Sequence, residues 1–253
     1  MDIFCTDLDN TLIYSYKHDI GEQKRNVEIY QGREISFITE KEYELLKTLK
    51  EKILIIPTTT RTTEQYERID LGIGTFDYAL TCNGGILLEK GMENREWYEE
   101  SLKLVENSKE IMEQALVLLE KEKRRTFELR FIRDLFVFTK CEEPENVVQD
   151  LQECLDCSTV DVFNNGVKVF VVPKTLSKGN AIKRLKKYLQ VNQIITAGDS
   201  EFDVSMLEEA DIGIAPKSLS ERCRLESDIV IMPQKEIFGE ELLRYIQKYL
   251  THK

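Results

Sequence analysis

Two aspartates separated by a single residue lie close to the N-terminus of this 253-residue chain. Asp7 and Asp9 follow the apolar stretch Ile3-Phe4-Cys5. Side chains alternate between the two faces of a β-strand, so a strand over residues 2–8 would point both carboxylates the same way. Carboxylates this close repel each other, and the pair therefore predicts either a shared proton or a bound cation. Oxygen ligands of this kind favour Mg²⁺.

An aspartate pair also has simpler explanations. Asp and Asn are frequent in turns and helix caps for purely local reasons. A calcium-binding loop that starts at Asp7 is excluded, because such a loop needs Gly at its sixth position and Glu at its twelfth. Leu12 and His18 occupy those positions. The pair therefore gains weight only from related residues elsewhere in the chain.

Three further apolar stretches end abruptly in small, polar or charged residues. They are residues 52–57, which lead into Thr58-Thr59-Thr60-Arg61, residues 78–82, which lead into Asn83-Gly84-Gly85, and residues 193–197, which lead into Gly198-Asp199-Ser200. Short stretches of this kind are typical of buried parallel strands. In open α/β sheets ligands bind outside the carboxyl ends of the strands, so we expect these polar ends to meet at one crevice.

Helical patterns separate the predicted strands. They cover residues 40–51, 62–70, 177–189 and 203–209. Strands that alternate with helices indicate βα units with helices on both faces of a sheet. The sequence therefore predicts an α/β fold, with a Rossmann-like, three-layer core around a parallel sheet.

Residues 86–172 break this alternation. The stretch contains a long amphipathic segment at 105–125, a strand pair around Arg133-Asp134, a helix near 145–155 and two strands around Asn164-Asn165-Gly166. This αββαββ order predicts a smaller α+β domain inserted into the core. We expect a core of residues 1–84 and 173–253, with a cap domain at 85–172.

Composition narrows the class of protein. A hydrophobic content of 42% and a charged content of 32% are ordinary for a globular protein and argue against disorder. The net charge of −11 argues against nucleic-acid and anionic-membrane partners, although a local basic pocket is compatible with it. No apolar run approaches the roughly 20 residues that span a bilayer, and the start is not signal-like, so we expect a cytoplasmic protein.

The six cysteines show no disulfide framework. Cys154 and Cys157 form a lone C-x-x-C pair, and the chain contains only two histidines, so a zinc site lacks plausible partners.

Taken together, the polar strand ends resemble the motifs of the haloacid dehalogenase superfamily of phosphohydrolases. The four matching segments are Asp7-Leu8-Asp9-Asn10-Thr11, Thr59 with Arg61, Lys178, and Gly198-Asp199-Ser200-Glu201-Phe202-Asp203. They occur in the order of the family. The insert between the second and third motifs resembles the Cof-type branch, which includes sugar-phosphate, phosphoglycolate and mannosylglycerate-phosphate phosphatases. The chain departs from the common pattern at Thr60, which is often Gly, and at Phe202, which is often Asn.

The resemblance implies a phosphatase that hydrolyses a phosphate monoester of a small metabolite through an aspartyl-phosphate intermediate. Asp7 would be the nucleophile and Asp9 the general acid and base. Lys178 would supply positive charge. Mg²⁺ would bind Asp7, the Asp9 backbone carbonyl and Asp199, with Asp203 in the outer shell. The residues that would contact phosphate or substrate are Asn10, Thr59, Thr60, Arg61 and Asn83.

Lys178 is unusual for a local reason as well. A lysine in the first turn of a helix opposes the helix dipole by about 0.3–1 kcal/mol, and a broken local rule of this kind indicates a functional site. In the insert, Arg130 and Lys168 have apolar neighbours and are candidates to meet an anionic group of the substrate. An ordinary solvated sheet face explains these two residues equally well.

Two other functions stay open at this point. A phosphotransferase or sugar phosphomutase would share the same site, and a metabolite-binding module without catalysis could keep the fold. Each residue taken alone also has a structural explanation, since a lysine is usually a surface residue and a Gly-Asp pair usually a turn. The occurrence of all four motifs in the order of the family favours the phosphatase.

Overall fold

The computed structural model describes residues 2–252. A five-stranded parallel sheet forms the main core. Its strands, in order across the sheet, are β15 (Val230–Met232), β14 (Ile212–Pro216), β13 (Gln193–Ala197), β1 (Asp2–Thr6) and β5 (Leu54–Pro57). Since β1 lies between β13 and β5, the residues that follow these three strands are brought side by side. The predicted α/β fold with a parallel sheet is confirmed.

Helices cover both faces of this sheet. They are α1 (Glu40–Lys50), α2 (Thr63–Glu67), α6 (Lys178–Leu189), α7 (Glu201–Glu208), α8 (Lys217–Arg222) and α9 (Phe238–Thr251). On one face Phe4 and Ile214 belong to a core cluster that also contains Leu46 of α1 and Ile246 of α9. On the other face Ala215 packs with Leu207 of α7. Between residues 2 and 252, no helix is long and apolar enough to cross a bilayer.

Two small antiparallel sheets accompany the parallel one. The first has the order β2 (Tyr14–Ser15), β4 (Arg33–Thr39), β3 (Lys24–Tyr30), and the second the order β6 (Tyr78–Thr81), β7 (Ile86–Glu89), β8 (Met92–Glu93). The β3–β4 hairpin turns at Gln31-Gly32, where φ is +50° and +74°. Two successive positive φ angles are typical of the two-residue turns that match strand twist. This hairpin was not among the elements predicted from the sequence.

A separate compact unit extends from Arg95 to Ser177. Its elements are α3 (Arg95–Val105), α4 (Lys109–Glu120), β9 (Arg130–Ile132), β10 (Phe136–Lys140), α5 (Pro144–Cys154), β11 (Val160–Asn165) and β12 (Lys168–Pro173). The four strands form an antiparallel sheet in the order β11-β12-β10-β9.

The bounds of this second unit differ from the predicted 85–172. Strands β7 and β8 pair with β6, which assigns the residues before Arg95 to the first unit. The helical segment predicted at 105–125 contains one α-helix, α4, which is preceded by a short 3₁₀ turn at Glu106–Ser108 and ends at Glu120. Helix α3, which precedes this turn, was not predicted.

Glu42 joins three segments of the first unit. Its carboxylate accepts hydrogen bonds from the Thr39 amide at 2.9 Å and from the Tyr14 hydroxyl at 3.0 Å, and the Gly239 amide donates to the same hydroxyl at 3.0 Å. A Cβ on Gly239 would overlap the Glu42 carboxylate and the Thr11 carbonyl oxygen, so only glycine fits there. Burial raises the pKa of Glu42 to about 7, although these hydrogen bonds oppose the shift and the charge of Glu240 adds to it.

We expect Glu42→Gln to remove a pH dependence of stability. Folded Glu42 holds its proton more tightly than the unfolded chain, so its contribution is present at low pH and is lost as pH rises through 7. Relative to the variant, the wild-type free energy of unfolding should fall by about 2–3 kcal/mol between pH 5 and pH 8. Glutamine can still accept from Thr39 and donate to the Tyr14 hydroxyl.

Urea denaturation at a series of pH values measures this difference. Glu44→Gln is the control, because Glu44 is exposed on the same helix. An identical pH slope in wild type and Glu42→Gln would contradict the prediction.

Candidate active site

Three carboxylates converge around the ammonium group of Lys178. Its Nζ donates to Asp7 Oδ1 at 2.6 Å and to Asp203 Oδ1 at 2.5 Å. One carboxylate oxygen from each of Asp7, Asp199 and Asp203 lies within 4.8 Å of the others. The Lys178 and Asp203 side chains are fully buried, and Asp7 is nearly so. The fold thus brings the first, third and fourth motifs together.

The chain positions these groups through tight local packing. Asp7 follows β1 and its amide donates to the Ala197 carbonyl at 2.8 Å, which ties it to the end of β13. Lys178 is the first residue of α6. A Cβ on Gly198 would overlap the Asp203 side chain, and a Cβ on Gly179 would overlap the Ser205 carbonyl. Both glycines therefore allow α6 and α7 to approach the cluster closely.

Asp203 holds the turn that carries Asp199. Its Oδ2 accepts hydrogen bonds from the amides of Asp199 and Ser200 at 3.1 and 3.0 Å and from the Ser200 hydroxyl at 2.7 Å. Asp203 is thus the N3 residue of the capping box that begins α7 with Ser200 as the N-cap. Since its other oxygen accepts from Lys178, the carboxylate already takes part in four hydrogen bonds.

The cluster contains more carboxylate groups than positive groups, so additional positive charge would stabilise it. Burial raises the pKa of Asp7, and the charges of Asp203 and Asp199 add to the shift while Lys178 opposes it. Burial also raises the pKa of Asp199 to about 7. Burial alone would lower the pKa of Lys178, but Asp203 and Asp7 outweigh it and raise that pKa. Two of the three carboxylates bond the one ammonium group, and the oxygen-only donor set of all three fits a divalent cation such as Mg²⁺.

The Asp9 carboxylate pairs with Arg61 and lies outside the three-aspartate group. Strand β1 ends at Thr6 and not at residue 8, so the alternation expected to place Asp7 and Asp9 on one face does not reach Asp9. Its carboxylate is not part of the group formed by the other three aspartates. It accepts from Arg61 Nε and Nη2, both at 2.7 Å, and its side chain is 49% exposed.

Arg61 was predicted to bind phosphate, and the structure gives it carboxylate partners. Besides Asp9, its Nη1 donates to Glu28 Oε2 at 2.8 Å and to the Gln65 carbonyl at 3.4 Å. Burial alone would lower the pKa of Arg61, but the hydrogen bonds and charges of Asp9 and Glu28 raise it. Glu28 lies in β3, and sequence reasoning missed it.

The other residues predicted to contact phosphate lie in the loops after β5 and β6. Thr59 is buried, and its Oγ1 accepts from the Arg61 amide at 3.1 Å, so its hydroxyl proton can be donated. Thr60 is half-buried. Asn83 is buried with φ at +58°, and its amide donates to the Thr59 carbonyl at 3.0 Å. Left-handed backbone at a residue other than glycine is frequent at functional sites.

Asn10 borders a cavity, but its backbone amide is already engaged in a hydrogen bond and does not face a phosphate as a free donor. That amide donates to the Ile13 carbonyl at 2.7 Å within the turn. The exposed Asn10 side chain and Asp199 line a cavity of about 550 Å³, together with Tyr14 and Phe238. Small-molecule sites commonly have about 300–1,000 Å³.

Arg130 and Lys168 lie in the second unit and share one face of its sheet. Arg130 pairs across the strands with Phe138, which pairs with Phe170, two residues from Lys168. Arg130 Nε donates to Glu128 at 2.5 Å, and its guanidinium lies 5.0 Å from the centroid of the Phe127 ring. A role for either residue in substrate binding stays a prediction.

Comparison with known proteins identifies the class. Residues 91–237, more than half of the chain, match the family model of haloacid dehalogenase-like hydrolases. This chain therefore belongs to the haloacid dehalogenase-like hydrolase family, as the motifs predicted.

Individual proteins match this chain either over a short segment or at low sequence identity. A phosphoglycolate phosphatase of Sulfurisphaera tokodaii is 33% identical over 88 residues, which are 34% of this chain and 38% of the length of that enzyme. A phosphoglycolate phosphatase of Methanopyrus kandleri is 24% identical over 211 residues, which cover 81% of this chain and 86% of that enzyme. The sucrose-phosphatase of Synechocystis, solved with sucrose and phosphate, has a TM-score of 0.69 at 16% identity and covers 98% of this chain and 97% of its own. This structural likeness shows the shared fold.

Proposed function

We propose that this protein is a Mg²⁺-dependent phosphatase that hydrolyses a phosphate monoester of a small metabolite of the sugar-phosphate or phosphoglycolate type. The observation that carries the proposal is the buried cluster in which Lys178 bonds Asp7 and Asp203 while Asp199 lies within reach of both. The first, third and fourth motifs of a phosphohydrolase family supply the residues that converge there. The relatives named as phosphoglycolate phosphatases support the same substrate class.

Asp7 is the proposed nucleophile. Phosphoryl transfer needs an in-line nucleophile and stabilisation of the phosphate oxygens. Lys178 holds Oδ1 of Asp7, so the other oxygen can attack phosphorus. A bond forms between that oxygen and phosphorus as the bond to the leaving oxygen breaks, which gives an aspartyl-phosphate. The hydroxyl of Thr59 can donate to a phosphate oxygen.

Asp9 is the proposed proton carrier. In its protonated form it would donate to the departing alkoxide, and as a carboxylate it would then take a proton from the water that attacks the aspartyl-phosphate. Attack of that water on phosphorus releases inorganic phosphate and restores the Asp7 carboxylate.

Asp7 and Asp199 would hold Mg²⁺ directly, and Asp203 suits the outer shell because its oxygens already accept four hydrogen bonds. When bound, the cation would neutralise charge on the carboxylates and on the phosphate oxygens.

Phosphate release tests the proposal. We expect release from a panel of sugar phosphates, phosphoglycolate and an aryl phosphate in the presence of Mg²⁺, and loss of that release in EDTA. Asp199→Asn should raise the Mg²⁺ concentration for half-maximal rate by about tenfold or more, since a ligand is lost. Asp228→Asn, an exposed aspartate on the same unit, is the control and should behave as wild type.

Equal rates in Mg²⁺ and EDTA would contradict the proposed metal dependence. Transfer of phosphate to an acceptor sugar without release would instead support a phosphotransferase. Binding of a phosphorylated metabolite with neither release nor transfer would support a binding module.

A further inference from the structure

We infer that Arg61 is a positioning residue that fixes the orientation of the Asp9 carboxylate, and that Glu28 fixes Arg61 in turn. The inference rests on the proposed function, because it concerns the proton carrier of that reaction. It assigns a role to Glu28, for which the sequence analysis gave none.

The pairing between Arg61 and Asp9 is bidentate. Nε and Nη2 of Arg61 donate to the two carboxylate oxygens of Asp9, each at 2.7 Å. Two parallel hydrogen bonds between planar groups fix the plane of the carboxylate as well as its distance. Asp9 needs such a partner, because it lies beyond the end of β1 with about half of its side chain exposed. An exposed aspartate without a rigid partner samples several rotamers.

Glu28 holds the other side of the same guanidinium. Its side chain is fully buried and accepts from Arg61 Nη1 at 2.8 Å, from Ser36 Oγ at 2.7 Å and from Arg68 Nε at 3.2 Å. The register of β3 against β4 shifts on both sides of Glu28, an irregularity of the kind that a β-bulge produces. Bulges redirect side chains and are frequent beside active sites. A buried carboxylate is costly unless paired, so its position at this irregularity indicates that the fold retains it for its partners.

The donor groups of Arg61 argue against phosphate binding as its main role. A guanidinium has five N–H donors in a fixed fork. Two bond Asp9, one bonds Glu28 and one approaches the Gln65 carbonyl. No pair of parallel N–H groups is left for a phosphate, so removal of Arg61 should misplace Asp9 and lower kcat more than it weakens substrate binding.

The kinetics of Arg61→Ala distinguish a residue that positions Asp9 from a residue that binds the phosphate of the substrate. With the best substrate of the phosphate panel, we expect kcat to fall about 100-fold, the loss typical of a misplaced reacting group. KM and the inhibition constant of inorganic phosphate should change less than about threefold. In an Asp9→Asn background, Arg61→Ala should add less than about threefold, because residues that act as a unit are not additive.

Conservative variants and added guanidinium extend the test. Arg61→Lys should not restore kcat, because an ammonium group cannot make two parallel hydrogen bonds. Guanidinium ion should raise kcat of Arg61→Ala but not of Asp9→Asn. Arg61→Ala alone leaves the buried Glu28 carboxylate less well paired. The double variant Glu28→Gln/Arg61→Ala removes that charge, and its kcat should fall as much as that of Arg61→Ala. Arg25→Ala is the control, since Arg25 lies in β3 like Glu28 but pairs with Glu40, the first residue of α1.

Two results would overturn the inference. One is a parallel rise of KM and the phosphate inhibition constant with little change in kcat, which would make Arg61 a substrate-binding residue. The other is a crystal structure of Arg61→Ala in which the Asp9 carboxylate keeps its present orientation. Failure of the proposed function is a separate result, because it would appear as absence of phosphate release by the wild-type protein.

Discussion

Asp7→Asn is expected to abolish phosphate release and leave the protein folded. An amide cannot form the aspartyl-phosphate, so kcat should fall by about 10,000-fold or more, as for other enzymes that lose their nucleophile. The fold should tolerate the change, because the amide oxygen can still accept from Lys178, which lies 2.6 Å from Asp7 Oδ1. The variant also removes one of three carboxylates that repel each other, and burial already opposes the ionisation of Asp7.

Two measurements on the same preparation check this expectation. Phosphate release from the best substrate gives kcat, and thermal unfolding in EDTA gives Tm, which we expect to equal or exceed that of wild type. Asp7→Glu is the matched variant, because it keeps the charge but moves it by one methylene, and it should lose activity as well. An Asp7→Asn protein that keeps more than a hundredth of wild-type kcat would disprove a nucleophilic role.

The central sheet and much of the candidate site could be predicted because they follow from residue pattern. Strands predicted at 52–57 and 193–197 are found in the parallel sheet at Leu54–Pro57 and Gln193–Ala197. The strand predicted at 78–82 is found at Tyr78–Thr81, but its prediction as a parallel strand was wrong, because it pairs antiparallel with β7 in a separate small sheet. Each is a short apolar run that ends in polar residues, which is what burial of both faces requires. The rule that carboxyl ends of parallel strands meet then placed Asp7 and Asp199 together.

The orientation of Asp9 could not be predicted in this way. The period of two holds only within a strand, and β1 ends at Thr6. Beyond that point the side chain follows its partners, and the guanidinium of Arg61 decides where Asp9 points.

Glu28 escaped prediction for a related reason. A glutamate in a polar strand is normally expected to be exposed to solvent. Glu28 is buried, and the irregular register of β3 against β4 around it is visible only in the structure. The available signal was the Gln31-Gly32 turn, since a two-residue turn with glycine between alternating strands indicates a hairpin. That signal predicts the hairpin but not the irregular register.

The bounds of the second unit could not be predicted either, because they depend on which strands pair. Residues 85–94 look like the start of an insert, but Leu88 and Glu89 pair with Ala79 and Tyr78. Strand pairing of this kind depends on contacts that composition does not encode.

Lys178→Met is expected to lower both stability and turnover. The ammonium group that Asp7 and Asp203 share would be replaced by an apolar chain of similar length, while the carboxylates stay buried. Removal of one partner from a buried ion pair typically costs about 3–5 kcal/mol of stability. Turnover should fall by about 100- to 1,000-fold, since a fixed positive group beside the developing charge is lost.

Urea denaturation and phosphate release measure the two effects. Lys183→Met is the matched control, because Lys183 lies on the same helix and its ion pair with Glu209 is exposed, where such pairs contribute about 0–1 kcal/mol. Asp203→Asn added to Lys178→Met should restore part of the stability: the amide oxygen can accept from Ser200 and Asp199, and the amide nitrogen faces the former lysine. If Lys178→Met unfolds within about 1 kcal/mol of wild type, the cluster does not depend on that ammonium group for its stability. Protonation of the buried carboxylates or a bound divalent cation would then compensate their charge. A denaturation midpoint that depends on Mg²⁺ more steeply in the variant than in wild type would identify the cation.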